Sequence, residues 1–453
     1  MLPAALLLCG VSASLAEEDT FREEDIAAPY CIVVDAEDVD TVFFAREPDA
    51  RCLPASTTKI MTCVVVLENC EDLSETVTVT RAAASMKETN SLMGVIADER
   101  LTIEQLLYGL MLESGNDAAR LLAERFGGSV EGFADMMNEK AKEIGMSETT
   151  CFVNASGAYK AGGKIGSTVR DMAKLTAYAL KNEKFRELVS TARYTIPESE
   201  ERKKPLELIN SNRLLSDAPD AKNSVYYADC IGVKTGSTEQ GGKCLISAAE
   251  RDGATVICVM FGLKEGGSRN KRMERVFVDS KKLLERALDS YEPFNPADFD
   301  LTEAAEEPFG SFGSTVRCAP DFSGLTFKLA KQKADALRLD PSRVGTVRRI
   351  DPIPDTVSVG DAIGTLVVEA DGAELFAVPI TVTEVNAVST PGPTAVPTPA
   401  PTPYAPEPTQ EPVQQVRISL PVLLIVALLA AAVLFALSMM GILRHRRRRR
   451  ARR

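Results

Sequence analysis

Apolar residues fall along this chain in three spacings. In YCIVVDAEDVDTVFFARE, Tyr30 to Glu47, and in CLISAAERDGATVICVMFG, Cys244 to Gly262, β-branched and aromatic runs flank short polar turns, the second at Asp252-Gly253. Both read as antiparallel hairpins. Between them, TIEQLLYGLMLESGNDAARLLAERFG, Thr102 to Gly127, spaces its apolar residues as a helix does, and IMTCVVVLE, Ile60 to Glu68, is apolar enough for a buried helix. Two strand pairs flanking a mainly helical middle, without regular alternation of strand and helix, predict an α+β domain over residues 25–290. Residues 295–386 carry shorter β-rich runs, clearest where Asp371-Gly372 parts two alternating segments, and predict a small β domain.

The third spacing is continuous. Residues 418–443, Ile418 to Leu443, form an uncharged run of 26 residues, long enough as a tilted helix to cross a hydrocarbon core of roughly 30 Å. Residues 444–453, RHRRRRRARR, follow it, and eight arginines beside a span mark its cytoplasmic side. Residues 1–16 are uncharged, mostly apolar, and end with Ser14 and Ala16 at signal-peptidase spacing; they read as an export signal that lacks its positive flank. Residues 390–412 hold nine prolines and read as a spacer, on the order of 70 Å long if extended. The expectation is a single-pass protein of the cell membrane, with residues 17–417 on the wall side and the tail inside.

Charge narrows the partners. The formal net charge is −12 even with eight tail arginines counted, so the exported part is more acidic still and nucleic acid is excluded. Ten cysteines include no CxxC pair, and nine remain beyond the export signal. They make no disulfide framework; Cys63 and Cys258 sit in apolar runs as small hydrophobes, while an oxidised pair such as Cys31 with Cys52 stays open. The single histidine is His445, in the tail. Neither a Ser-His-Asp nor a Cys-His site, nor a histidine-bearing zinc site, can be built outside the cell, and no metal or cofactor is expected.

A serine nucleophile in this chain therefore needs lysine, tyrosine or a carboxylate as its base. In LPASTTKIMT, Leu53 to Thr62, Ser56 lies three residues before Lys59, which on a helix puts both on one face. Burial and the helix dipole favour the neutral amine that such a base requires, and a second lysine nearby would push the same way. GVKTGST, Gly232 to Thr238, supplies Lys234 with Thr235 and Gly236 on a predicted strand; a backbone N–H near Ser237, with the amide of Ser56, would form an oxyanion hole. ESGNDAA, Glu113 to Ala119, interrupts a helical pattern at Ser114-Gly115-Asn116, offering a hydroxyl for proton relay and an amide side chain. Taken singly, these stretches are equally a helix cap, a glycine turn and an interhelical loop.

Taken in order, Ser-x-x-Lys, Ser-x-Asn and Lys-Thr-Gly form the signature of penicillin-recognising serine enzymes. The chain resembles the low-molecular-weight penicillin-binding proteins of the D-alanyl-D-alanine carboxypeptidase family, and FVNASG, STVRDMAKL and NSNRLL extend the likeness over residues 25–290. The resemblance implies the penicillin-binding/β-lactamase-like transpeptidase fold, an antiparallel sheet with a helical subdomain. It also implies that Ser56 attacks the bond between two terminal D-alanines of a peptidoglycan stem peptide, and that β-lactams inhibit covalently. Lys59 would be the base, Ser114 and Asn116 the relay and amide contact, and Lys234, Thr235, Gly236 and Ser237 the substrate strand. In GGSRNKRMER an arginine for the substrate carboxylate is either Arg269 or Arg272. The rivals are a transpeptidase or β-lactamase of the same fold, or a catalytically silent wall-binding scaffold. TCFVNASGAY, Thr150 to Tyr159, lacks the deacylating glutamate that a class A β-lactamase needs. A true span behind a proline spacer departs from the family's usual amphipathic anchor.

Overall fold

The structure, a computed structural model, describes residues 22–86, 91–159, 163–215, 225–264, 267–310 and 313–388. The export signal, the proline spacer, the 418–443 run and the arginine tail lie outside the described residues. Among the described residues, no helix is long and apolar enough to cross a membrane.

The two predicted hairpins join in one five-stranded antiparallel sheet, in the order Val42–Arg46, Tyr30–Asp35, Ala254–Leu263, Gly242–Arg251, Cys230–Thr238. Side chains alternate between its faces. Ile32, Val34, Ile246, Ile257, Val259 and Phe261 enter the core shared with the helical lobe. Cys31, Val33, Leu245, Val256, Cys258 and Met260 face the opposite way, into a second core with Phe277 and Leu284 of the helix Arg269–Leu288. Burial on both faces explains why these strands read as almost continuous apolar runs.

The helix Lys59–Asn69 runs through the middle of the helical lobe, and every residue from Lys59 to Val66 is buried. Around it pack Ile103–Met111, Asn116–Gly127, Val130–Ile144 and Val169–Leu180. Their starts are written locally. Thr102 and Gln105 form a reciprocal capping box, and Thr168 accepts from the amide of Asp171 at the head of the segment VRDMAKL.

Residues 305–386 build a second five-stranded antiparallel sheet, in the order Ala305–Phe309, Ser314–Pro320, Ala373–Asn386, Ala362–Ala370, Val344–Ile350. Its long hairpin turns at Asp371-Gly372. The β-rich reading overlooked the helix Lys331–Leu339, whose nine residues are too few to show a clear period and bury only Ala334 and Leu337. Tyr291–Pro293 pairs with Lys328–Ala330, stitching this sheet to the first domain. Lys328 with Asp252, Lys333 with Asp38, and Gln332 with the carbonyl of Val42 add three further ties.

All nine described cysteines are free, so the pairing of Cys31 with Cys52 left open by the sequence is not made. Cys31 lies beside Cys258 of the adjacent strand, and burial pushes its thiol well above the usual range. Cys52 instead donates to the carbonyl of Ser167 at 3.4 Å.

Candidate active site

Ser56 lies in the single 3-10 turn Ala55–Thr58 that leads into the helix carrying Lys59. The turn starts from an uncommon backbone, with Ala55 at φ 49°. A left-handed alanine costs on the order of 1 kcal/mol or more and persists only where surroundings hold it. Two glycines do so here. A Cβ on Gly157, which has φ 75°, would stand 1.8 Å from the carbonyl oxygen of Ala55, and one on Gly236 would stand 3.3 Å from the amide nitrogen of Ser56. The Lys-Thr-Gly strand and the FVNASG loop thus close on the Ser56 turn from two sides, and only glycine permits the contact at 157.

Lys59 is 0% exposed, and its Nζ has three neighbours: Ser56 Oγ at 3.2 Å, Asn116 Oδ1 at 2.7 Å and the carbonyl of Ser156 at 3.0 Å. Both carbonyl oxygens can only accept. A neutral amine satisfies them with its two N–H groups and turns its lone pair to Ser56, where it can take the hydroxyl proton. Burial holds Lys59 well below the usual lysine range, with the nearby charge of Lys234 adding and Asp117 opposing. The amine is therefore poised as a base.

Asn116 opens the helix Asn116–Gly127, and its amide donates to the carbonyl of Ser91. Next to it, Asp117 accepts from the amides of Met93, Gly94 and Val95, pinning that segment beside the site. Ser114 is buried in a left-handed turn at φ 60°, and its hydroxyl has no hydrogen-bond partner among the described residues. Such a hydroxyl is free to serve a reacting group.

Lys234, Thr235, Gly236 and Ser237 lie on the strand Cys230–Thr238, an edge of the central sheet. Lys234 is 1% exposed, and burial lowers it to about 7, against the opposing charge of Glu113. Thr235 Oγ1 shares a 2.6 Å hydrogen bond with Ser211 Oγ. Ser237 Oγ accepts from Lys243 Nζ. The side chain of Arg272 lines a cleft of about 440 Å³ together with Ser237 and Lys243. Arg269 is the first residue of the following helix, and its side chain lies outside the described part of the structure.

The structure therefore brings together Ser56, Lys59 and Asn116 by direct contact, and sets Ser114 and the Lys234 strand around them. Sequence reasoning missed the carbonyl of Ser156, the close approach at Gly157, and the side chains of Ser211 and Lys243. The FVNASG and NSNRLL segments contain three of the four, so the stretches were visible although their roles were not. Among the described residues, no group of three or more His, Cys, Asp or Glu side chains is placed to hold a metal ion.

Comparison with known proteins gives the same direction. A family model described as D-alanyl-D-alanine carboxypeptidase matches residues 17–265. The chain is 28% identical over 392 residues to D-alanyl-D-alanine carboxypeptidase DacF of Bacillus subtilis (strain 168), covering 85% of this chain and 92% of that protein. It is 36% identical over 229 residues to a D-alanyl-D-alanine carboxypeptidase of Streptomyces sp. (strain K15), covering 48% of this chain and 75% of the relative. The crystal structure of the Streptomyces K15 DD-transpeptidase superposes with a TM-score of 0.50 at 32% identity, covering 58% of this chain and 98% of that one.

Proposed function

The chain belongs to the D-alanyl-D-alanine carboxypeptidase family, and from that membership we infer that it removes the terminal D-alanine from peptidoglycan stem peptides through an acyl-enzyme on Ser56. The observation that carries this reading is the environment of Lys59 Nζ, a buried amine with two accepting carbonyls and one hydroxyl. Ser56 Oγ attacks the carbonyl carbon of the penultimate D-alanine while its proton passes to Lys59. The oxygen that gains charge is held by the backbone N–H groups of Ser56 and Ser237. As the C–N bond breaks, Ser114 passes a proton to the leaving nitrogen, drawing on Lys59, and D-alanine departs. Water then attacks the ester carbon, its proton going to Lys59, and releases the shortened peptide with Ser56 restored.

Asn116 orients Lys59 and faces the peptide amide. Lys234, Thr235 and Arg272 bind the terminal carboxylate, which separates free C-termini from amides. β-Lactams enter by the same attack and are hydrolysed only slowly, because the loop beside Lys59 offers the carbonyl of Ser156 and no carboxylate as a second base for water.

A transpeptidase reading has one observation in its favour: the solved Streptomyces K15 structure at 32% identity is named a DD-transpeptidase. Mass spectrometry of a pentapeptide muropeptide after incubation separates the two. Tetrapeptide monomers are the expected product, and cross-linked dimers as the main product would reverse the assignment.

The catalytic domain works on the wall side of the cell membrane, exported by residues 1–16 and anchored by 418–443. The uncharged 26-residue run and the arginines behind it support this placement. Protease added to intact spheroplasts should degrade residues 17–417 and spare the tail; protection of the catalytic domain would refute it.

A further inference from the structure

A third buried lysine meets the substrate strand. Lys243 belongs to the neighbouring strand Gly242–Arg251, stands in register with Ser237, and is 6% exposed. Its Nζ donates to Ser237 Oγ at 2.9 Å, and both side chains line the cleft that also holds Arg272, with Lys264 and the exposed Glu239 at its borders.

The direction of that hydrogen bond matters. An ammonium has donors only, whereas a serine hydroxyl has one proton and two lone pairs. As the donor of this bond, Lys243 occupies a lone pair of Ser237 and leaves the hydroxyl proton to be given elsewhere. Thr235 differs, because its partner Ser211 is a neutral hydroxyl that can donate or accept. Thr235 and Ser237 are two residues apart on one face of an extended strand, about 7 Å along it. Two O–H···O hydrogen bonds of about 2.7 Å each, plus the width of a carboxylate, fill that gap.

We propose that Lys243 is a specificity-determining positioning residue, which commits the Ser237 hydroxyl to donating to the free terminal carboxylate of the substrate. Lys234, Thr235 and Arg272 supply charge and one hydroxyl to that group; the Ser237–Lys243 pair supplies the second, directed donor. Lys243 acts through Ser237 and touches no reacting atom. The inference rests on the carboxypeptidase reading.

The test compares kcat/KM for one peptide ending in D-Ala-D-Ala as the free acid and as its C-terminal amide. Lys243→Met should lower the acid-to-amide ratio about tenfold, mainly by raising KM for the acid. Ser237→Ala should do the same, the double variant should be no worse than either single one, and Lys243→Arg should keep most of the preference. Ser237→Ala removes one small oxygen at a partly exposed position, so it can overturn the proposal even if Lys243→Met fails to fold, and Lys243→Arg then reads the role of Lys243. A folded Ser237→Ala enzyme that keeps the wild-type ratio overturns the proposal, as does a Lys243→Met enzyme slowed equally on acid and amide. Wild-type enzyme that released neither D-alanine from the acid nor D-alaninamide from the amide would overturn the carboxypeptidase reading, and this inference with it.

Discussion

The charge of Lys234 acts on Lys59 across the site, and burial leaves neither amine in the ordinary lysine range. The two are needed in opposite states. Lys59 must be neutral to take the Ser56 proton, whereas Lys234 must be charged to attract a carboxylate. The free enzyme is competent only above the pKa of Lys59 and below that of Lys234, so kcat/KM should trace a bell. Its alkaline limb falls through about 7, as Lys234 loses its proton. In Lys234→Arg the cation persists at every accessible pH, and the alkaline limb should move up by at least about one pH unit. An unchanged limb in that variant, read from pH profiles of D-alanine release, would remove Lys234 from the carboxylate site.

Lys234 also costs the fold stability. Its folded pKa is lowered to about 7, against roughly 10.4 in an unfolded chain, so between these values the unfolded state binds more protons and stability rises with pH. Lys234→Met should stabilise the protein by roughly 2–4 kcal/mol at pH 7 and by much less near pH 10, while abolishing turnover. Urea denaturation at the two pH values checks the sign; a variant less stable than wild type at pH 7 contradicts it.

Ser56→Ala should abolish covalent labelling by a fluorescent penicillin and leave the thermal melt unchanged. Lys59→Ala should slow acylation itself by about 10²–10⁴-fold. Labelling of Ser56→Ala at a comparable rate would place the nucleophile elsewhere.

Gly157→Ala should damage the site from a distance. The new Cβ meets the Ala55 carbonyl oxygen and sits on a left-handed backbone, so we expect a loss of ~2 kcal/mol or more in stability. Displacing the Ser56 turn by even 1 Å should cost on the order of 100-fold in acylation. Wild-type rates in this variant would show that the loop is a bystander.

Much of this site was legible because its chemistry is local. Ser56 and Lys59 are joined by one helical turn, and Lys234 to Ser237 by one strand, so spacing alone places them. Both hairpins of the central sheet were also visible, since Asp252-Gly253 and its flanking runs carry strand and turn signals together. What stayed hidden depends on distant pairing or on backbone atoms. The carbonyl of Ser156 has no side-chain signature, and Gly157 matters only because Ala55 lies against it across 102 residues of chain. The Cys31 contact with Cys258 requires the strand order, and Lys243 requires the register opposite Ser237.

Side-chain ties that fasten residues 291–333 to the central sheet reach Asp35, Asp38, Val42 and Asp252. Those four sit at the end of the central sheet where Arg251 pairs with Ala254, some eight residues, or roughly 27 Å, along the strand from the register position of Ser237. The second sheet is therefore fastened to the end of the central sheet remote from the Ser56 turn, through residues that the site does not use.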